Sequence, residues 1–345
     1  MHLTLDKPTR QTFQPTYGLL RIIACFSVIF HHFLPADLRS DPSLNNRILI
    51  VINNLLMCNN GLFLLLSGKF ALENYRGSIG TYYKKKFISI FLPAILMSLF
   101  YYLFFILKTP GDFQLAKFLK ALSACEILGY LWFVYALLGF YLVVPFLAPM
   151  LKNMNKKELR FFFCMMLFLI FLRNICQVTH IRFVFGNFPF FQLSFMLFGY
   201  LIEHIDLSSK MEKLIYLTTI PAMVVSCYIE LYFPNYNPAQ YDLSISRILM
   251  CLSVYLLVCR HSHAVSDPLV GPIAFVSRHT YFMYLIHTLA QQFFFAKMWS
   301  VWLLLLRMPY ICALFFGSIV IFLLSLVLAM VLQFIFDMLT KRPER

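Results

Sequence analysis

The stretch YGLLRIIACFSVIFHHFL, residues 17–34, is long and apolar enough to cross a bilayer as one helix, yet it carries Arg21 and His32. On an α-helix, residues eleven apart lie on nearly the same face and about 16 Å apart along the axis. Ionisable side chains are costly in hydrocarbon unless they face a protein interior or a wet cavity. The pair therefore predicts a functional site inside a helix bundle.

The composition of the whole chain indicates an integral membrane protein. Hydrophobic residues make up 61% of the 345 residues and charged residues 13%, against about 25% charged residues in an ordinary soluble domain. The net charge is +14, but the basic residues cluster in short loops between apolar segments. There they predict membrane orientation and not nucleic-acid binding. The N-terminus is polar, and no small-residue cleavage site follows the first apolar segment. The sequence therefore predicts no cleavable signal peptide.

The hydropathy pattern predicts an all-α, polytopic membrane bundle of about ten transmembrane helices in a single domain, residues 1–345. Most Lys and Arg residues fall on one side of these spans, which places both termini in the cytoplasm. Residues 1–16 are then a short cytoplasmic N-terminus and 337–345 a basic cytoplasmic tail. The predicted spans are 17–34, 48–70, 87–107, 127–150, 159–175, 188–204, 213–233, 244–260, 270–295 and 310–336.

Arg21 and His32, with ten residues between them, resemble the first-helix signature of the acyltransferase-3 family of membrane O-acyltransferases. Four later stretches resemble the motifs of that family in the same order, so the resemblance covers essentially the whole chain. Within the family, the chain is most similar to stand-alone members that acetylate cell-surface polysaccharides such as enterobacterial common antigen, because no esterase-like domain is fused. The four stretches are GLFLLLSG (61–68), KKKFISIFLP (84–93), YLWFVYALLGFYLVVP (130–145) and SRHTYFMYLIH (277–287).

This resemblance implies transfer of an acyl group from cytoplasmic acyl-CoA to a hydroxyl of a glycan or lipid-linked sugar. The expected donor is acetyl-CoA. It places the protein in the bacterial cytoplasmic membrane, with acyl-CoA as a substrate and no permanently bound cofactor. Because imidazole titrates near neutral pH, His32 is the expected general base for the hydroxyl. Arg21 is too far from His32 along the helix to act on the thioester carbonyl that the hydroxyl attacks. We therefore expect Arg21 to hold the phosphates or pantetheine of coenzyme A.

Further residues in these motifs are predicted to bind donor or substrate, and each has a simpler alternative role. The lysine triplet is also an orientation signal, and the Ser-Gly pair also permits close helix packing. The tryptophan also fits an interfacial aromatic belt, and the Tyr-x-x-His pair also fits a buried hydrogen bond. Arg21 itself is compatible with a snorkelling anchor. The predicted binding residues are Lys84, Lys85, Lys86, Ser67, Trp132, Tyr284 and His287.

Three positions depart from the family pattern. Lys69 follows Gly68 where an aromatic or aliphatic residue is usual, and Tyr130 replaces a frequent histidine. Ser89 stands where a second arginine is common, which removes a cation otherwise assigned to the donor phosphates.

Other chemistry has little support in the sequence. The nine cysteines show no Cys-x-x-Cys spacing, so neither disulfides nor a zinc site is expected. His31 is expected to pack or to hydrogen-bond, and Glu126 is a candidate to orient His32. The competing hypothesis is a transporter or flippase for a glycan or small solute that uses Arg21 and His32 as relay residues.

Overall fold

The fold is entirely helical in the part of the chain that the structure describes. This computed structural model shows no β-strand in those residues, which confirms the all-α class. Most of the two predicted tails, residues 1–12 and 341–345, lies outside the described residues. The described residues are 13–34, 43–108, 113–179, 190–233, 244–261, 265–297 and 309–340.

The helices are numbered α1 to α13 along the chain. A π-helical turn, Phe87–Phe91, joins α4 to α5, and a short 3-10 turn, Gly129–Leu131, leads into α7. The helices are Pro15–Phe33 (α1), Leu44–Leu56 (α2), Asn59–Glu73 (α3), Ile79–Lys86 (α4), Leu92–Lys108 (α5), Leu115–Ser123 (α6), Trp132–Asn153 (α7), Lys156–Val178 (α8), Phe190–His204 (α9), Ser209–Tyr232 (α10), Ile245–Arg260 (α11), Asp267–Lys297 (α12) and Tyr310–Thr340 (α13).

Several helical segments are long and apolar enough to cross a membrane, so the chain is a multi-pass membrane protein. Seven such segments are found among the described residues. The remaining predicted spans coincide with α9, α11 and α12, and the count of ten and the sidedness of the termini stay predictions. The seven are Pro15–Phe33, Leu44–Glu73, Ile79–Ile106, Gly129–Asn153, Lys156–Cys176, Ser209–Tyr232 and Tyr310–Thr340.

Some predicted helix boundaries are wrong, for local reasons. The second span is confirmed as one segment, Leu44–Glu73, but Met57 and Cys58 interrupt its helix and separate α2 from α3. The third span begins at Ile79, before the lysine triplet, because the Ser78 side chain accepts the backbone N–H of Thr81 and caps the helix. The last helix continues through Thr340, so residues 337–340 of the predicted tail are helical.

Helix α1 occupies the middle of the bundle and packs against α3, α11, α12 and α13. Beside it, α3 and α9 cross at two glycines. A Cβ atom on Gly68 would overlap the Met196 carbonyl, and one on Gly199 would overlap the Leu65 carbonyl. This contact confirms close packing at the Ser-Gly pair.

Candidate active site

Three of the predicted site residues, Arg21, Ser67 and Tyr284, line one cavity of about 160 Å³. Arg21 comes from α1, Ser67 from α3 and Tyr284 from α12. Arg21 carries the one charged side chain among the lining residues, so an anion entering the cavity meets that guanidinium. The other lining residues are Phe63, Ile90, Phe133, Leu137, Tyr141, Thr280 and Tyr281.

The π-helical turn Phe87–Phe91 supplies part of the cavity wall through Ile90. In a π-turn the backbone hydrogen bonds join residues five apart instead of four. The Tyr281 hydroxyl donates a hydrogen bond to the Ile90 carbonyl. Single π-turns of this kind are frequent at functional sites. The turn contains Ser89, the position at which a second arginine is common in the family pattern. No described residue replaces that cation inside the cavity, because Arg21 is its one charged lining residue.

The Arg21 guanidinium has no acidic partner in the described part of the chain, and it makes no hydrogen bond there. Its Cζ atom lies 5.1 Å from the centroid of the Phe70 ring, which is a cation–π distance. A half-buried guanidinium with unused donors can bind a phosphate or carboxylate through charge-assisted hydrogen bonds.

Lys69 contacts the same Phe70 ring as Arg21 but is fully paired. Its ammonium contacts the Glu203 carboxylate and lies 3.4 Å from a Glu73 carboxylate oxygen. Tyr17 and Tyr255 also donate hydrogen bonds to Glu203. The Lys69 side chain is 6% exposed, so this departure from the family pattern brings its own counter-charges and adds no free cation to the cavity.

His32 lies in a separate cluster of rings at the other end of α1. Its ring centroid is 5.2 Å from that of His287 and 5.9 Å from that of Tyr130. The His32 side chain is exposed, whereas His287 is completely buried. His32 therefore has open space on one side, and His287 lies deeper in the bundle. The neighbouring His31 ring is 3.0 Å from the Asn53 amide oxygen, so His31 is a hydrogen-bonding residue, as expected.

Tyr284 connects the cavity with the His32 cluster. It lines the cavity beside Arg21, its hydroxyl donates to the Tyr130 carbonyl, and its ring centroid is 5.9 Å from that of His287. Helix α12 thus supplies one residue to each end of the site, three positions apart on one face. The arrangement places a guanidinium and an exposed imidazole along one continuous set of contacts.

Of the lysine triplet, only Lys86 contacts a residue of the cavity. Its Nζ atom lies 4.0 Å from the ring centroid of Tyr141, which lines the cavity, and 5.7 Å from that of Tyr82. Lys84 and Lys85 are exposed on other faces of α4. The triplet therefore divides into one residue next to the site and two surface residues.

Two other candidates lie away from the centre of the site. Trp132 is half-buried and contacts the Phe133 ring at a centroid distance of 6.4 Å, but it is not among the residues that line the cavity. Glu126 is exposed in the loop after α6. The rings that contact His32 are those of His287, His31 and Tyr130, and no contact of His32 with Glu126 is recorded among the described residues.

Sequence reasoning missed several tyrosines that build the site. Tyr130 contacts both His32 and His287, and its hydroxyl donates to the Leu285 carbonyl and accepts from Thr288. Its ring and hydroxyl therefore pack against α1 and α12. The tyrosine in place of a frequent histidine was the signal that marked this position. Tyr141 and Tyr281 had no signal of their own, because aromatic residues are abundant throughout this chain.

The described residues contain no group of three or more His, Cys, Asp or Glu side chains that could hold a metal ion. Comparison with protein families gives one finding: residues 17–330 match the family model of the acyltransferase domain called acyltransferase-3. No curated protein and no solved structure matches the chain.

Proposed function

The chain belongs to the acyltransferase-3 domain family, and from this membership and the geometry of the site we propose that it is a membrane-bound O-acyltransferase. The proposed donor is cytoplasmic acetyl-CoA. The proposed acceptor is a hydroxyl of a cell-surface polysaccharide or of a lipid-linked sugar, in the bacterial cytoplasmic membrane. The family favours this enzyme over a transporter or flippase.

One observation carries the proposal: an arginine without an acidic partner among the described residues and an exposed histidine lie on one helix, and they are connected through Tyr284 and His287. Coenzyme A has anionic phosphates at one end and a thioester at the end of a long, flexible arm. Arg21 suits the phosphates or the polar pantetheine arm, and Lys86 lies next to the same cavity. The thioester would then lie toward His32.

The proposed reaction assigns one role to each end of α1. The acceptor hydroxyl gives its proton to the His32 imidazole as its oxygen attacks the thioester carbonyl carbon. The C–O bond forms, the C–S bond breaks, and the coenzyme A thiolate takes the proton from His32. Ser67 and Tyr284 line the same cavity as Arg21 and are proposed to contact the arm of the donor.

The test is acetyl transfer in membranes that contain the protein. Radiolabelled acetyl-CoA should label a polysaccharide or lipid-linked sugar fraction with wild-type protein. Loss of the general base in His32→Ala should lower kcat by about 100- to 10,000-fold. His31→Ala is the matched control, because His31 is the neighbouring imidazole but is bonded to Asn53; it should retain most of the activity.

Binding of the donor should separate the two ends of the site. Purified His32→Ala should still bind acetyl-CoA, because Arg21 is intact. Succinyl-CoA tested in parallel determines whether the donor is acetyl or a longer acyl group. If purified wild-type protein neither bound an acyl-CoA nor changed the acylation of membrane glycans, the proposed function would be wrong.

A further inference from the structure

His287 has one ring nitrogen that the protein leaves without a partner. Its Nδ1 atom lies 2.7 Å from the Tyr284 carbonyl oxygen. A carbonyl oxygen only accepts hydrogen bonds, so Nδ1 carries the proton, and in the neutral ring Nε2 is an acceptor. Nε2 is buried and has no hydrogen-bond partner. Because buried polar atoms are nearly always bonded, this orphaned acceptor requires an explanation.

The groups around the His287 ring narrow the choice of donor. The Tyr130 ring centroid is 4.9 Å away, but the Tyr130 hydroxyl already donates its proton to the Leu285 carbonyl. The Tyr284 hydroxyl donates to the Tyr130 carbonyl. The His32 ring, at a centroid distance of 5.2 Å, makes no hydrogen bond in the described part of the chain. His32 is therefore the neighbour with an available N–H.

We propose that His287 is a positioning residue for His32: its Nε2 atom accepts the N–H of the His32 ring when substrate is bound. This inference rests on the proposed role of His32 as the general base. Ring nitrogens lie on the edges of the rings, so a centroid distance of 5.2 Å allows the roughly 3 Å separation of an N–H···N bond after a rotation of the His32 ring.

The bond would determine which nitrogen of His32 faces the acceptor. With one His32 nitrogen donating to His287, the other presents its lone pair to the substrate hydroxyl. When His32 takes the hydroxyl proton, it becomes an imidazolium whose second N–H donates to His287 in a charge-assisted bond. His287 neither gains nor loses a proton in the cycle. The sequence of Tyr284 carbonyl, His287 and His32 resembles the way a fixed acceptor orients the base in a hydrolase triad.

Two substitutions distinguish the role of the His287 Nε2 acceptor from that of the Nδ1 bond to the Tyr284 carbonyl. His287→Asn places an amide N–H near Nδ1, so it can keep the bond to the Tyr284 carbonyl, but it has no acceptor at Nε2. His287→Gln places its amide oxygen near Nε2 and restores the acceptor. His279→Asn is the control, because His279 lies on the same helix and its Nδ1 atom is likewise 2.8 Å from a backbone carbonyl, that of Phe275.

We expect His287→Asn to lower kcat for acetyl transfer by about 10- to 100-fold, the size of the loss when the orienting partner of a metal-bound histidine is removed. The KM for acetyl-CoA and the thermal stability should stay near wild type, and His287→Gln should recover most of kcat. Wild-type kcat in His287→Asn would overturn the proposal, as would a kcat in His287→Gln no higher than in His287→Asn. A joint loss of kcat, donor binding and stability would show a structural role and also overturn it.

A second measurement does not depend on the acceptor or on turnover. In protein labelled with nitrogen-15 histidine and bound to coenzyme A, solid-state NMR should show a correlation between a protonated nitrogen of His32 and the unprotonated nitrogen of His287. The correlation should disappear in both His32→Ala and His287→Asn. Its absence from the wild type would overturn the positioning role, whereas absence of acetyl transfer by an otherwise intact wild type would overturn the proposed function.

Discussion

Arg21 and Lys69 are two cations that pack on the same aromatic ring but have opposite surroundings. The Arg21 guanidinium lies 5.1 Å and the Lys69 ammonium 5.8 Å from the centroid of Phe70. Lys69 is paired with Glu203 and Glu73, whereas Arg21 has no acidic partner among the described residues. A cation whose partners belong to the protein stabilises the fold, and one without them is available to a ligand.

The difference follows from which helices meet each side chain. Lys69 faces α9, which supplies Glu203, and the hydroxyls of Tyr17 and Tyr255 complete the bonding of that carboxylate. Arg21 faces the cavity, whose other lining residues are uncharged. Substitution of Lys69 should therefore change mainly the stability of the protein. Substitution of Arg21 should change mainly the binding of the donor.

Lys69→Ala should destabilise the protein by about 3 kcal/mol, because it leaves the Glu203 carboxylate without its cation in a largely buried place. The expected value is at the low end for such a change, since Glu203 keeps two tyrosine hydrogen bonds and its side chain is 24% exposed. The measurement is thermal or denaturant unfolding in detergent.

The double variant Lys69→Met with Glu203→Gln is the control for this effect. It removes both charges, so it should recover most of the lost stability. If Lys69→Ala were as stable as wild type but failed to bind donor, Lys69 would be a ligand-binding residue and the comparison with Arg21 would fail.

Arg21→Ala should weaken donor binding by about 1.5–3 kcal/mol, the contribution of hydrogen bonds to a charged group, or roughly 10- to 100-fold in Kd. Stability should change little, because no carboxylate loses its partner. Titration calorimetry with acetyl-CoA and with dephospho-coenzyme A would measure the loss. Arg21→Lys retains the charge but not the forked donors, so it should fall between wild type and Arg21→Ala. Unchanged donor affinity in Arg21→Ala would contradict the assignment.

Lys86→Ala should weaken donor binding by about 0.2–1 kcal/mol, or roughly 1.5- to 5-fold, since Lys86 is partly exposed and acts through a screened charge. Lys84→Ala and Lys85→Ala are matched controls with the same change in charge on the same helix. They should have no measurable effect at physiological salt, where charges beyond about 8 Å are screened. Equal effects of all three substitutions would indicate a general surface field and not a contact at the cavity.

The sequence predicted the membrane class, the helical fold and most of the helix positions, because each depends on local hydropathy and length. It also singled out Arg21, Ser67 and Tyr284, which the structure brings to one cavity, and His32 and His287, whose rings are in contact. The break at Met57 and the early start at Ile79 were missed. Those boundaries depend on caps and on tertiary contacts, which hydropathy does not report.

Only the structure shows which of several residues of one type lies at the site. Nothing in the run of three lysines distinguishes Lys86 from its neighbours, and only the approach of Tyr141 does so. The sequence marked Tyr130 only as a departure from the family pattern, and its contacts with both histidines are visible only in the structure. Hydrogen-bond partners from distant segments, such as Glu203 for Lys69, leave no periodic pattern in the sequence.

By itself the sequence determined that this chain is a helical membrane protein of the acyltransferase-3 type with a polar pair on its first helix, because hydropathy, spacing and motif order are properties of the linear chain. Only the tertiary structure decided which cation is free and which histidine lies beside His32. The free energy of a buried charge or ring depends on the groups packed around it, and those groups come from helices far apart in the sequence.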